Sequence, residues 1–275
     1  MRARSGRSGD DSGLGPLSAG ASDLLSEEPV AVGVPLTRIV PRQLVDSPEV
    51  IVRGATRSAA AEKLRRLRAL LEHDENGPAR VIVVTSAAPR EGKSLIALNL
   101  ALTFAVDRKS DVLLLDADLR RPTVDRWLTP APQLGLAEVL AGKAPIDHAL
   151  LRLKDSTLQV LPAGRPPQDP VALLSSTAFP ALMGTLRERY RQIVVDTPPI
   201  VPFTDADVIG RAADGVLLVV REGQTPRSMC VQAVAAVTST RILGAVLNDT
   251  VWNLADRDRY YGRYYDHYYG SGKRR

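Results

Sequence analysis

A chain of 275 residues that is 44% apolar has material for one large domain or two small ones, and its net charge of +5 suits phosphate ligands, nucleic acid or an anionic surface without selecting among them. A single cysteine, Cys230 in an apolar helical context, reads as a buried thiol rather than a disulfide or metal ligand, and three scattered histidines offer no metal-ligand spacing. The longest apolar run, LIALNLALTFAV, is about twelve residues against the roughly 20 that a membrane span needs, and the basic N-terminus has no apolar stretch behind it, so a cytoplasmic protein is expected.

Residues 1–48 are rich in Gly, Ser, Pro and charge and read as a mostly disordered arm, with one extended piece at VAVGVPLTRIV. The pattern turns helical over 58–72, where Leu64, Leu67 and Leu71 form a stripe, and HDENGP breaks it. RVIVVTS then reads as a buried strand and SLIALNLALTFAVDR as a helix. DVLLLDAD, QIVVDTPP, DGVLLVV and RILGAVLN read as four more strands, with helical segments such as LGLAEVLAG and STAFPALMGTLRERY between them. Near-continuous apolar strands alternating with helices predict an α/β fold: a doubly wound, mostly parallel sheet covered on both faces, over residues 49–250. Residues 251–275 form a separate tail without a core pattern.

Between the first of these strands and its helix lies APREGKS, a P-loop in which Ala87 stands for the first glycine. Ala88, Pro89, Arg90, Glu91, Gly92, Lys93, Ser94 and Leu95 would cradle the nucleotide, with loop N–H groups and the helix N-terminus aimed at phosphate. Gly92 permits close backbone approach, Lys93 can bridge the β- and γ-phosphates, and Ser94 can offer its hydroxyl to Mg²⁺. The next strand ends in VLLLDADLRRP, which places Asp116 and Asp118 on one side of the strand at the ligand edge, suited to holding Mg²⁺ and accepting a proton. Asp196 in QIVVDTPP makes a Walker B strand, its carboxylate near Mg²⁺. Thr204 and Asp205 read as a helix cap rather than chemistry, and Asn248, at the end of the last strand, as an adenine contact.

With these motifs the chain resembles the bacterial tyrosine kinases of capsule and exopolysaccharide systems, within the P-loop group that includes the Min and Par ATPases. The resemblance extends over residues 47–269 and takes in LGLAEVLAG, LPAGRPPQDPVALLSS and TDADVIGRAADGVLLVVREGQT. It implies ATP and Mg²⁺ as cofactors, Lys93, Asp116 and Asp118 as catalytic residues, and Ser94, Asp118 and Asp196 as the metal set. Asp116 is the candidate base, although the sequence leaves the roles of Asp116 and Asp118 interchangeable. Two features are more specific. Glu62, Arg65 and Arg68 match the family's E-x-x-R-x-x-R, which implies a subunit interface closing a ring of about eight copies; on physics alone they form a solvated helix face with weak internal pairing. Six tyrosines, Tyr260, Tyr261, Tyr264, Tyr265, Tyr268 and Tyr269, match the family's autophosphorylated cluster, in a terminal, glycine-punctuated segment that suits an acceptor. They could also line one face of a helix as an aromatic interface.

The resemblance further implies a transmembrane polysaccharide co-polymerase as activator, recruitment to the inner face of the membrane, and a role in polysaccharide synthesis or export, with other proteins as additional tyrosine substrates. Arg90 departs from the glycine of the stricter loop. SAAP lacks the early lysine of the Min and Par ATPases, which weighs against the alternative of a partitioning or spatial-organisation ATPase. No specific nucleic-acid partner is expected. A nucleotide-binding adaptor, phosphorylated by another kinase, is disfavoured by the intact Lys93 and three aspartates.

Overall fold

The computed structural model describes residues 40–44, 50, 58–106, 111–154 and 156–250. In chain order the elements are β1 (Val40–Leu44), α1 (Ala59–Glu72), β2 (Val81–Ser86), α2 (Lys93–Ala105), β3 (Val112–Asp116) and β4 (Leu128–Thr129). Then come α3 (Leu136–Leu140), α4 (Ile146–Ala149), β5 (Leu151–Leu153), β6 (Leu158–Leu161), α5 (Pro170–Leu174) and α6 (Ala178–Arg189). β7 (Gln192–Asp196), α7 (Asp205–Gly210), β8 (Gly215–Arg221), α8 (Arg227–Ala236) and β9 (Ile242–Asn248) complete the described part.

The strands form one sheet in the order β4-β1-β5-β6-β3-β7-β2-β8-β9. From β6 to β9 every pairing is parallel, as the unbroken apolar strands predict, while β5–β6 and β1–β4 are antiparallel. Alternation along β2 shows why both faces are covered: Ile82 and Val84 enter the apolar layer shared with α1 and α2, and Val81 and Val83 enter the layer shared with α3 and α5–α8. In α2 all but Leu95 is buried, which accounts for its weak amphipathic pattern.

The sheet is wider than the sequence pattern predicts. β5 and β6 are three and four residues long, too short to stand out from the surrounding apolar sequence. β1 falls inside the segment read as an arm and past most of its anticipated extended piece; it pairs in parallel with β5. Cys230 is only half-buried, because α8 buries Ala233 and leaves much of its surface outside.

α1 begins at Ser58, whose hydroxyl accepts from the Ala61 N–H at 3.1 Å. Of the three charges singled out on it, Glu62 and Arg65 pair with each other at 2.5 Å. Arg68 instead turns inward. It bonds Glu72 at 2.9 Å and the Thr103 carbonyl of α2 at 3.0 Å, and sits 5.7 Å from the Phe104 ring centroid.

Candidate functional site

β2 lies between β7 and β8, and β3 lies beyond β7, so the chain skips one strand position as it passes from β2 through α2 to β3. A crevice at such a crossing is where an open α/β sheet binds ligands. Three features converge there. The β2–α2 loop delivers Lys93 and Ser94, the end of β3 delivers Asp116 and Asp118, and the end of β7 delivers Asp196. Asp116 and Asp196 are direct partners in the β3–β7 register. The end of β7 is pinned to β2: Thr197 donates from its hydroxyl to the Val84 carbonyl at 3.0 Å, and Thr85 donates to the Pro198 carbonyl at 2.8 Å.

Loop conformation explains its departures from an all-glycine pattern. Gly92 caps α2 at φ +89°, a left-handed backbone that favours glycine, and the missing Cβ leaves room for Asn248 Nδ2. Arg90 takes φ +66° with its side chain exposed, a left-handed residue where the stricter pattern has glycine. Ala87 is buried and outside the left-handed region, so alanine suffices there.

Lys93 is folded inward, its Nζ 2.8 Å from Asp118 Oδ2, 3.2 Å from Ser94 Oγ and 3.7 Å from Asp196 Oδ1. Burial acts to lower its pKa, but Asp196 and Asp118 outweigh it and hold the ammonium above its usual range. Asp118 Oδ1 accepts from the Arg121 N–H at 3.0 Å. Asp116 is fully buried, with Oδ1 taking the Asp118 N–H at 3.0 Å and Oδ2 the Val124 N–H at 3.2 Å. Burial first, and the neighbouring Asp196 second, push it well above the usual carboxylate range.

Asp196 is the anomaly. Among the described residues, three buried side-chain polar atoms have no hydrogen-bond partner, and two of them are its carboxylate oxygens; the third is Thr123 Oγ1. Burial raises its pKa to about 6, against the pull of Lys93. An orphaned carboxylate beside a serine hydroxyl and a second aspartate fits Mg²⁺, which takes one or two carboxylates and completes its shell with phosphate oxygens and water. No cluster of three or more His, Cys, Asp or Glu among the described residues could bind a metal ion unaided.

Pro89 is exposed, Ala88 and Leu95 are half-buried, and Glu91 is buried in the loop. Asn248 is beside the loop, but its Nδ2 donates to the Glu91 carbonyl at 3.0 Å. Tyr260, Tyr261, Tyr264, Tyr265, Tyr268 and Tyr269 lie outside the described residues. Thr204 does stand at the N-cap of α7 and Asp205 opens that helix, but Thr204 makes no side-chain cap bond, and Asp205, fully buried, receives two bonds from Arg120, at 3.0 and 3.1 Å, while the guanidinium stacks 4.2 Å from the Phe203 ring centroid. That pair fixes the segment after the DAD motif to α7. The partners are 85 residues apart, and nothing local in the sequence joins them.

A P-loop between strand and helix, aspartates at two neighbouring strand ends and a parallel core define a P-loop ATPase-type α/β protein. The comparisons narrow this class. A 216-residue match that takes in 78% of this chain and 91% of the relative is 35% identical to tyrosine-protein kinase YwqD of Bacillus subtilis. Putative tyrosine-protein kinase CapB of Staphylococcus aureus is 30% identical, over 72% of this chain and 87% of its own. Among solved structures, the chimerical protein CapA2B2 superposes with a TM-score of 0.71 at 28% identity, covering 78% of this chain and 95% of that one. The Escherichia coli ETK kinase domain follows with 0.64 at 29%, covering 71% and 80%. No protein-family model matches the chain. The chain belongs to the bacterial tyrosine-protein kinase family.

Proposed function

We propose that this protein is an ATP-dependent tyrosine autokinase whose acceptors are Tyr260, Tyr261, Tyr264, Tyr265, Tyr268 and Tyr269, presented to a neighbouring copy within a ring-like oligomer. The Asp196 carboxylate carries the reading: both its oxygens are buried without a hydrogen-bond partner and its ion pair with Lys93 spans 3.7 Å, a degree of under-satisfaction that a bound cation would relieve. Membership in the kinase family and the six terminal tyrosines support tyrosine rather than water as acceptor.

In this reading the tyrosine oxygen attacks the γ-phosphorus, the bond to the β-phosphate oxygen breaks, and ADP leaves. The loop and the α2 N-terminus orient the phosphates through backbone N–H groups. Lys93 leaves its aspartate partners to neutralise charge on the β,γ-oxygens, and Ser94, Asp118 and Asp196 would hold Mg²⁺. When bound, that ion draws negative charge from the transferring and leaving oxygens. The tyrosine proton passes to the Asp116–Asp118 pair. Asp116, buried and bonded to the Asp118 and Val124 N–H groups, is the candidate base, and Asp118 is the member already bonded to Lys93. In a loose transition state positioning outweighs this proton transfer. Asn248 stands beside the loop as the candidate adenine contact.

By extension from relatives that include succinoglycan biosynthesis transport protein ExoP of Rhizobium meliloti, the kinase regulates the synthesis or export of a capsular or extracellular polysaccharide. This chain spans 29% of that relative. That CapA2B2 is a chimera fits a kinase partnered with a membrane co-polymerase, which would activate it and recruit it to the inner face of the membrane. No helix among the described residues is itself long and apolar enough to cross a membrane.

The test is ATP-dependent phosphorylation of the purified chain with peptide mapping, with and without a candidate activator peptide. Phosphate on the tail tyrosines that disappears in Lys93→Met and in a six-Phe tail is the expected result. ATP turnover without phosphoprotein, even with activator, would replace this reading with the partitioning-type ATPase.

A further inference from the structure

A phosphate loop works by turning successive backbone N–H groups toward one anion, and an arginine in the left-handed region makes that shape costlier than glycine would. In this chain it is held from outside. The Glu91 side chain, 4% exposed, reaches two ways: Oε2 accepts the Ala88 N–H at 2.9 Å, closing the neck of the loop, and Oε1 accepts the Thr225 hydroxyl. Thr225 is itself fixed. Its Oγ1 accepts the Arg221 N–H and its N–H donates to the Arg221 carbonyl, both at 3.1 Å. With Oγ1 accepting from the backbone, the one hydroxyl proton is directed to Glu91. Two loop carbonyls are drawn the same way. The Arg221 guanidinium donates to the Arg90 carbonyl at 3.3 Å while gripping Asp249 Oδ2 at 2.9 and 2.7 Å, and Asn248 donates to the Glu91 carbonyl at 3.0 Å.

The consequence follows from the geometry of a trans peptide, in which C=O and N–H point in opposite directions. Holding the Arg90 and Glu91 carbonyls toward the ends of β8 and β9 turns the N–H groups of Glu91 and Gly92 away from those strands. We propose that Thr225 and Arg221 are positioning residues for phosphoryl transfer: they set the phosphate loop by bracing it against the β8–α8 turn and the end of β9. This rests on the site being a nucleotide site, so nucleotide binding is read apart from tyrosine phosphorylation.

The experiment measures, on the full chain, the dissociation constant for Mg²⁺ with a non-hydrolysable ATP analogue, together with the thermal midpoint. Thr225→Val keeps the shape and removes the hydroxyl; it is expected to weaken binding about tenfold. Thr225→Ser restores the hydroxyl and is expected within about twofold of wild type. Arg221→Gln changes a side chain about one-third exposed, so its fold is retained even if the valine variant fails to fold, and it is expected to lose about threefold or more. Adding Glu91→Gln to Thr225→Val should cost less than Glu91→Gln alone, because the two act as one unit. A lower midpoint with binding unchanged within twofold in Thr225→Val, or in Arg221→Gln where the former does not fold, overturns the proposal by making the brace structural only. If wild type does not bind the analogue, the nucleotide reading falls and this inference falls with it. If it binds the analogue but phosphorylates no tyrosine, only the kinase reading is lost.

Discussion

Asp196 shows at the scale of one residue how a site can be visible through its cost. A carboxylate with no exposed surface and no hydrogen-bond partner is unfavourable when charged, and burial raises its pKa to about 6 although Lys93 lies 3.7 Å away. The folded state then holds a proton that the unfolded chain releases near pH 4, so this group's contribution to stability is fully present below about pH 4 and is lost as pH rises through about 6. Asp196→Asn removes that penalty. It is expected to raise the thermal midpoint of the ligand-free protein at about pH 8, by the equivalent of roughly 1–2 kcal/mol, and to abolish activity. The difference from wild type should shrink toward zero as pH falls to about 4. A midpoint lowered by the substitution at pH 8 would mean that the ion pair with Lys93 outweighs the cost of burying the carboxylate. Because the ion binds the ionised form, Mg²⁺-dependent affinity of wild type should also weaken below about pH 6.

At the scale of elements, what was legible in the sequence was what chain-local patterns encode. The strands carrying Lys93, Asp116, Asp118 and Asp196 to one edge are apolar runs ending in motif residues, and the structure brings those four together. Contacts between distant segments left no such mark. Arg120 and Asp205 are joined only by the fold, as are Glu91 and Thr225; β5 and β6 are too short to announce themselves, and β1, VPRQL, lacks the apolar run that marks the equally long β3 and β7. Arg68 lies between the two cases. Its spacing from Glu62 and Arg65 predicts one exposed strip, but α2 is near enough for the guanidinium to take the Thr103 carbonyl instead. The three charges of the motif should therefore separate on mutation. Arg68→Ala loses two charge-assisted bonds and the contact with Phe104, and is expected to destabilise by about 1–2 kcal/mol. It should lower the denaturant midpoint without changing the slope. Glu62→Ala and Arg65→Ala disturb a pair that is 51% and 40% exposed, and should cost under about 0.5 kcal/mol. If the helix also serves a ring interface, those two variants shift sedimentation toward monomer while leaving the midpoint in place. Equal losses of stability for all three would assign the whole motif to the α1–α2 contact.

At the scale of the whole molecule the site and its proposed acceptors have different geometric requirements. The proposed catalytic groups are buried at strand ends and at the start of α2, where Lys93 and Asp118 are at most 10% exposed. A tyrosine acceptor must instead reach a γ-phosphate in an extended, accessible segment. The chain leaves β9 at Asn248, and the six tyrosines follow within the next 21 residues. Asn248 is hydrogen-bonded to the phosphate loop itself, so β9 ends beside the place where the nucleotide would sit. Proximity alone would thus permit transfer within one chain, whereas a ring would present the tail to the next copy. Mixing two defective chains separates these cases. One carries Lys93→Met with all six tyrosines, and the other an intact site with all six changed to Phe. Transfer between copies predicts phosphate on the Lys93→Met chain, absent when either protein is incubated alone with ATP. The rate per chain should rise with total concentration until the oligomer saturates. It should fall with Glu62→Ala and Arg65→Ala if their helix joins the subunits. Transfer confined to one chain would leave the mixture as silent as its components while wild type remained active, and the ring would lose its catalytic role. Each added phosphate brings about −1.5 to −2 charge to a tail that starts out basic. Several of them would repel the tail from a site lined by three aspartates, so the incorporated phosphate should also drive the oligomer toward monomer, which sedimentation before and after ATP reads directly.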